Sequence, residues 1–206
     1  MSAKKKSPRM TGTERREQLV EVARGLFAER GFDGTAIEEV ATRAGVSKPV
    51  VYEHFGGKEG LYAVVVDREV TQLLTTMRDS LTNGTSRELL QSAAAALLDF
   101  VEANPDGFRI LVRDSPIGAS SSSFRSIIGD VTSRVEGILM TKFKEKELDP
   151  RVAPMYAQML VGMVAMVGQW WLDTREPAKE VVAAHLVNLA WNGLSGMERD
   201  PHLLGD

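Results

Sequence analysis

The first patterned segment of the chain places Leu19, Val22, Ala23, Leu26 and Phe27 at i, i+3, i+4, i+7 and i+8, one apolar stripe on a helix. Gly31 stands where a C-terminal cap is expected. In "TAIEEVATRAG", Thr35 and Glu38 have capping-box spacing, and Ile37, Val40, Ala41 and Ala44 form an apolar face that ends at Gly45. Ser47 is placed to cap a third, short helix, which tolerates Pro49 in its first turn, and Gly56 and Gly57 stop it after Phe55. A long helix is predicted over 58–81, with Val66, Val70, Leu73, Leu74, Met77 and Leu81 in one stripe that bridges two parts of the chain. "TNGTS" at 82–86 breaks it, with Asn-Gly turn chemistry and a further capping box at Thr85 and Glu88. Beyond it the pattern predicts a helix over 86–103, a shorter one after Pro105, a loop "SPIGASSSS" and three longer helices near 124–147, 151–173 and 178–196. No run alternates with a period of two and no internal repeat is visible, so the predicted fold class is all-α.

The short third helix cannot persist on its own, because isolated helices below about 12–15 residues are marginal in water. Its outward side chains are therefore its reason to exist. Joined to the second helix at Gly45 and supported by the first, it has the form of a three-helix helix-turn-helix module. Val46, Val51 and Phe55 point inward on a helical wheel, while Lys48, Pro49, Tyr52 and His54 point outward. That outward set suits DNA. A helix fits the major groove, about 12 Å wide, where Lys48 can donate to guanine O6 and N7 and Pro49 or Val50 can touch a thymine methyl. Tyr52, His54 and Lys58 are placed for phosphates. Against this stand blander readings: Tyr52 as a half-buried packing residue and His54 as an exposed helix-end histidine.

The segment "TAIEEVATRAGVSKPVVYEHFGGKEGLY" resembles the DNA-binding signature of the TetR (tetracycline repressor) family of bacterial transcriptional regulators. The shared features are the threonine entering one helix (Thr35), Ala-Gly-Val-Ser at the turn, Tyr-x-His-Phe on the recognition helix and Lys-x-x-Leu after it, spanning roughly 19–62. The resemblance implies a DNA-binding residue set of Thr35, Lys48, Pro49, Val50, Tyr52, His54 and Lys58. It also implies a dimer on a palindromic operator, its recognition helices about 34–36 Å apart, whose DNA affinity a ligand alters by changing that spacing. Repression is the commoner output in such a family. Glu38 and Glu39 stand on the second helix where some relatives place basic groups, and Glu53 sits on the recognition helix, which leaves open which bases are read.

Charge adds an arm to this picture. Net charge is -3, but residues 1–60 hold 11 Lys+Arg against 9 Asp+Glu, while 61–206 hold 14 against 19. Lys4, Lys5, Lys6, Arg9, Arg15 and Arg16 face only Glu14 in the first 16 residues, an arm suited to a polyanion or simply to solubility. The expected organisation is a basic arm over 1–12, the helix-turn-helix over 13–57 and an effector-binding and dimerisation domain over 58–206. With no cysteine, disulfides and thiolate chemistry are excluded. No phosphate-binding glycine loop, HExxH motif or nucleophile elbow is present, so neither an enzyme, a cofactor nor a metal site is expected. No secretory pattern follows the arm, and a cytoplasmic location is expected. An effector-independent architectural DNA binder is the alternative, although its large second region would then lack a purpose.

Residues 152–172 carry no formal charge, long enough to span a membrane, but Gln158, Gln169, Pro154 and two glycines interrupt the run and no basic cluster flanks it. The expectation is a core helix buried on most faces, with no membrane partner. Met155, Met159, Met163, Met166 and Trp170 recur on one face, and Ala157, Val161, Ala165, Gly168 and Leu172 form a face of smaller residues. Small residues permit close helix approach, so that face, with Val181, His185, Asn188 and Trp191, is expected to form a homodimer four-helix bundle. The Met face would look into its own subunit and, with Phe100, Phe108, Leu111, Phe124 and Ile128, either line an effector cavity or serve as ordinary core. An apolar or amphipathic effector fits it; an anionic one would need Arg109 or Arg113.

Overall fold

The computed structural model describes residues 10–80, 84–113 and 122–201; the side chains of 113, 122–128, 130 and 131 lie outside that description. Lys4, Lys5, Lys6, Arg9, Leu81 and most of the serine-rich loop therefore fall outside it, as do the side chains of Arg113, Phe124 and Ile128. Among the described residues there are nine α-helices, one 3-10 turn and no strand. The protein is all-α. The chain divides into two compact units, Met1–Val66 and Asp67–Asp206.

The first unit holds α1 (Gly12–Gly34), α2 (Ile37–Ala44), α3 (Lys48–Phe55) and the opening turns of α4 (Lys58–Ser80). A capping box that the apolar pattern does not announce starts α1 well before Leu19. The Thr11 hydroxyl accepts from the Glu14 amide at 3.2 Å, and the Glu14 carboxylate accepts from the Thr11 amide at 2.8 Å. Gly31 breaks the helix at φ 74°, a conformation that glycine adopts without a Cβ penalty, and one more turn runs on to Gly34. Leu19, Leu26, Phe27, Val40, Val51 and Leu61 are fully buried, and Tyr62 packs edge-on against Phe27 and Phe32.

Thr35 does not cap α2. Its hydroxyl donates to the carbonyls of Leu26 and Gly31 at 3.2 and 2.8 Å, and Ala36 takes the N-cap position. The expected Thr35–Glu38 box is thus replaced by a bond that satisfies the end of α1, whose carbonyls otherwise lack intrahelical donors.

The second unit contains the rest of α4, α5 (Ser86–Ala103), α6 (Pro105–Arg113), α7 (Ser122–Glu145), the 3-10 turn Pro150–Val152, α8 (Ala153–Thr174) and α9 (Lys179–Ser195). The Thr85–Glu88 capping box forms with both bonds. A buried polar junction joins α4 to the α5–α6 corner: Asn104 donates to Glu69 at 2.6 Å, and its Oδ1 accepts from the Gly107 amide. Phe143 and Tyr156 pack edge-on between α7 and α8, around buried Leu139, Leu148 and Ala157.

The orientation of α8 is opposite to the expected one. Ala157, Gly168 and Leu172 are buried within the chain and Val161 and Ala165 are half-buried, so the small-residue face turns inward. A Cβ at Gly168 would lie 3.1 Å from Phe108 and 3.6 Å from Leu97 and Val101. The absence of a side chain there is what lets α8 approach α5 and α6. Met159, Met166 and Trp170 are instead 56%, 63% and 50% exposed, and Met155 is exposed beside them. By length and composition Pro150–Thr174 could cross a membrane, yet only 17% of its most apolar window is buried within the chain, so it is not the mostly buried core helix expected. Gly168→Val should lower stability by about 1–3 kcal/mol through overpacking, despite valine's better helix propensity, as urea denaturation would measure.

Candidate nucleic-acid interface and effector cavity

The turn between α2 and α3 is closed by local chemistry. Gly45 adopts φ 67°, its amide donates to the Thr42 carbonyl, and the Val46 amide reaches back to Ala41. Ser47 is the N-cap of α3 by position, without a side-chain bond, and Pro49 lies in its first turn. Gly56, at φ 74°, ends the helix with its amide on the Tyr52 carbonyl. Val51 anchors the helix in the core. Around it Lys48, Pro49, Tyr52 and Glu53 are exposed, while Val50, His54 and Phe55 are half-buried.

Lys58, at the first position of α4, is oriented by the module itself. Its ammonium lies 4.3 Å from the Phe32 ring and 3.5 Å from the Asp33 carbonyl. Arg16 lies over Phe55 at 4.9 Å, a contact between α1 and α3 that the sequence reading missed because the two residues are 39 positions apart. Thr35, 2% exposed and bonded inward, is no part of this surface; its inclusion in the DNA-contacting set is corrected by its burial.

The acidic residues of α2 are partnered. Lys48 donates to Glu38, and its ammonium also sits 5.6 Å from the Tyr52 ring. That hydrogen bond holds the Glu38 carboxyl below its ordinary range and raises Lys48 above its own. Glu39 accepts from Arg30 at 2.6 Å and from Arg43 at 3.2 Å. Glu38 therefore holds Lys48, exposed on α3, in a surface ion pair.

A cavity of about 380 Å³ lies within the second unit. Its walls come from the last turns of α4 (Leu74, Met77, Arg78), the start of α5 (Leu89, Leu90), the carboxyl half of α7 and the end of α9 (Trp191, Leu194). None of the expected effector-binding residues whose side chains are described lines it. Phe100, Phe108 and Leu111 are buried core, Met163 is half-buried, and Met155, Met159, Met166 and Trp170 are exposed. Arg109 pairs with Asp106 away from the cavity walls. Trp191, expected at the dimer interface, forms part of the cavity instead, with Arg87 stacked on it at 5.9 Å. Val181, His185 and Asn188 of α9 are exposed. On α7 the cavity is lined by the apolar row Val135, Ile138, Leu139 and Phe143, with Lys142 and Lys146 beside it.

Residues 19–65 match the family described as bacterial regulatory proteins, tetR family, and residues 86–193 match the tetracyclin repressor-like C-terminal domain. The chain belongs to the TetR family. The HTH-type transcriptional activator FasR of Mycolicibacterium smegmatis is 31% identical over 198 residues, covering 91% of this chain and 86% of that protein. A TetR-like transcriptional regulator from Rhodococcus sp. RHA1 has a solved structure 26% identical, with a TM-score of 0.73 over 93% of this chain and all of that one. The fatty acid degradation regulator FadR from Bacillus halodurans shares the fold at 20% identity, with a TM-score of 0.68 over 93% of this chain and 98% of its own. TetR regulators bind DNA, and the helix-turn-helix of this chain occupies the matched amino-terminal segment.

Proposed function

We propose that this TetR protein is a cytoplasmic, non-enzymatic regulator that binds a palindromic operator as a homodimer and leaves it when a small molecule fills the cavity. The observation that carries the reading is the outward set on α3: Lys48, Pro49 and Tyr52 stand exposed around a single buried anchor, Val51. With Val50, His54 and Lys58 they would meet base edges and phosphates, and the basic arm would add sequence-independent attraction. The α4 helix supports the coupling, because it carries Lys58 at one end and the cavity residues Leu74, Met77 and Arg78 near the other. Repression by occupancy is the output that the family resemblance suggests; FasR is named an activator, and a reporter under the bound promoter separates the two outcomes.

The dimer surface we propose combines the exposed α8 side chains Met155, Met159, Met166 and Trp170 with Val181, His185 and Asn188 of α9. Exposed apolar residues grouped in this way on a folded chain mark an interaction surface, and a two-fold axis would pair the patch with itself. Selecting palindromes from random DNA and weighing the complex by sedimentation tests both parts; one chain per operator, or no enriched palindrome, would defeat the reading. In the same assay Glu38→Gln should tighten binding about two- to five-fold at low salt, since it frees Lys48 from a surface ion pair.

A further inference from the structure

We propose that the cavity selects an anionic amphiphile: an apolar body ending in a carboxylate or phosphate-type head. The inference rests on the ligand-responsive reading above and names the chemical class that the site takes. The body follows from the walls. Leu139, Phe143 and Leu148 are buried at the cavity, Leu74, Leu89 and Leu160 add half-buried apolar surface, and 380 Å³ falls within the usual size of small-molecule pockets.

The head follows from charge. Arg78, Arg134, Lys142 and Lys146 line the same cavity, and among the described lining residues there is no carboxylate. This is not the average composition of the region, which over 61–206 has 19 acidic residues against 14 basic. All four cations are exposed while Leu139, Phe143 and Leu148 of the same lining are buried, the arrangement in which long basic side chains keep their charged ends in water at the mouth of an apolar site. Lys142 pairs with Glu145 at 2.7 Å, an exposed partner that an incoming anion can replace at little cost. A neutral ligand gains nothing from this mouth, and a cationic one is repelled.

Three probes that share a tail separate head from body: dodecanoate, 1-dodecanol and dodecyltrimethylammonium, titrated calorimetrically into the full chain below their aggregation concentrations. Dodecanoate should bind saturably at one molecule per chain, 1-dodecanol at least about tenfold more weakly, and the cation not at all. The paired change Arg134→Gln and Lys142→Gln, both on an exposed surface, should weaken dodecanoate about tenfold or more and leave 1-dodecanol unchanged. Ile138→Trp, which adds bulk at the cavity lining, should weaken both, with the thermal unfolding curve showing that each variant folds. Equal binding of the alcohol, tighter binding of the cation, or binding unaffected by Ile138→Trp would overturn the assignment, as would no binding by any probe. The operator complex is then titrated separately. Dodecanoate that binds as described but leaves DNA affinity unchanged would uphold the ligand class and defeat the ligand-responsive reading instead.

Discussion

Introducing glutamate at both Met159 and Met166 should convert the protein to a monomer and lower its affinity for a palindromic operator by about a hundredfold or more. The two side chains are 56% and 63% exposed in the single chain, so the substitutions cost little while the chain is alone. In a two-fold interface each carboxylate would be buried among the partner's apolar side chains, and an unpaired buried charge is far more costly than a lost apolar contact. Loss of the dimer separates the two recognition helices. Each half-site must then be found independently, which forfeits the gain of about 10² to 10⁴ that a fixed linkage supplies. Sedimentation gives the mass, and a gel-shift titration gives the affinity. An intact dimer would move the interface elsewhere, and a monomer with undiminished affinity would remove the need for one. Far-ultraviolet circular dichroism, unchanged from the parent chain, separates dissociation from unfolding.

The boundaries of the helices were legible because their ends are local. Thr85 and Glu88, Gly45, and Gly56 each act within one turn, and the structure forms a capping box at the first and left-handed backbone at the other two. The same local logic failed at Thr35, where an identical threonine-to-glutamate spacing is present but carbonyls at the end of α1, four and nine residues upstream, capture the hydroxyl. A short motif cannot show which of two acceptors its side chain will meet. The orientation of α8 failed for a different reason: 21 consecutive uncharged residues leave no polar stripe to mark the outer face. Both faces read as buried. Gly168 marks the inner face, where a Cβ would press on Phe108 at 3.1 Å beside Leu97 and Val101. The cavity was the least legible feature. Its walls come from short arcs of α4, α5, α7, α8 and α9, and each arc taken alone has the pattern of ordinary core.

Lys48→Ala should cost about ten- to a hundredfold in affinity for the selected operator and relax preference chiefly at one base pair, whereas Lys58→Ala should weaken all sequences evenly. The two lysines differ in what surrounds them. Lys48 is exposed on the recognition helix, where it can enter the groove and donate to the acceptor pair of a guanine. Lys58 begins α4 with its ammonium over Phe32 and near the Asp33 carbonyl, a position suited to a phosphate and carrying no base information. Salt dependence separates them from mere loss of charge. Removing a phosphate contact should flatten the slope of log affinity against log salt by about one unit, because one fewer counterion is released. The Glu38→Gln change adds an internal control. If Lys48 acts by reaching a base, Glu38→Gln should tighten binding in the parent chain and do nothing once Lys48 is alanine. If Glu38→Gln tightens binding equally in both backgrounds, its effect is long-range repulsion of phosphates. Lys48 would then be only another positive charge on the module, without a specific base to read.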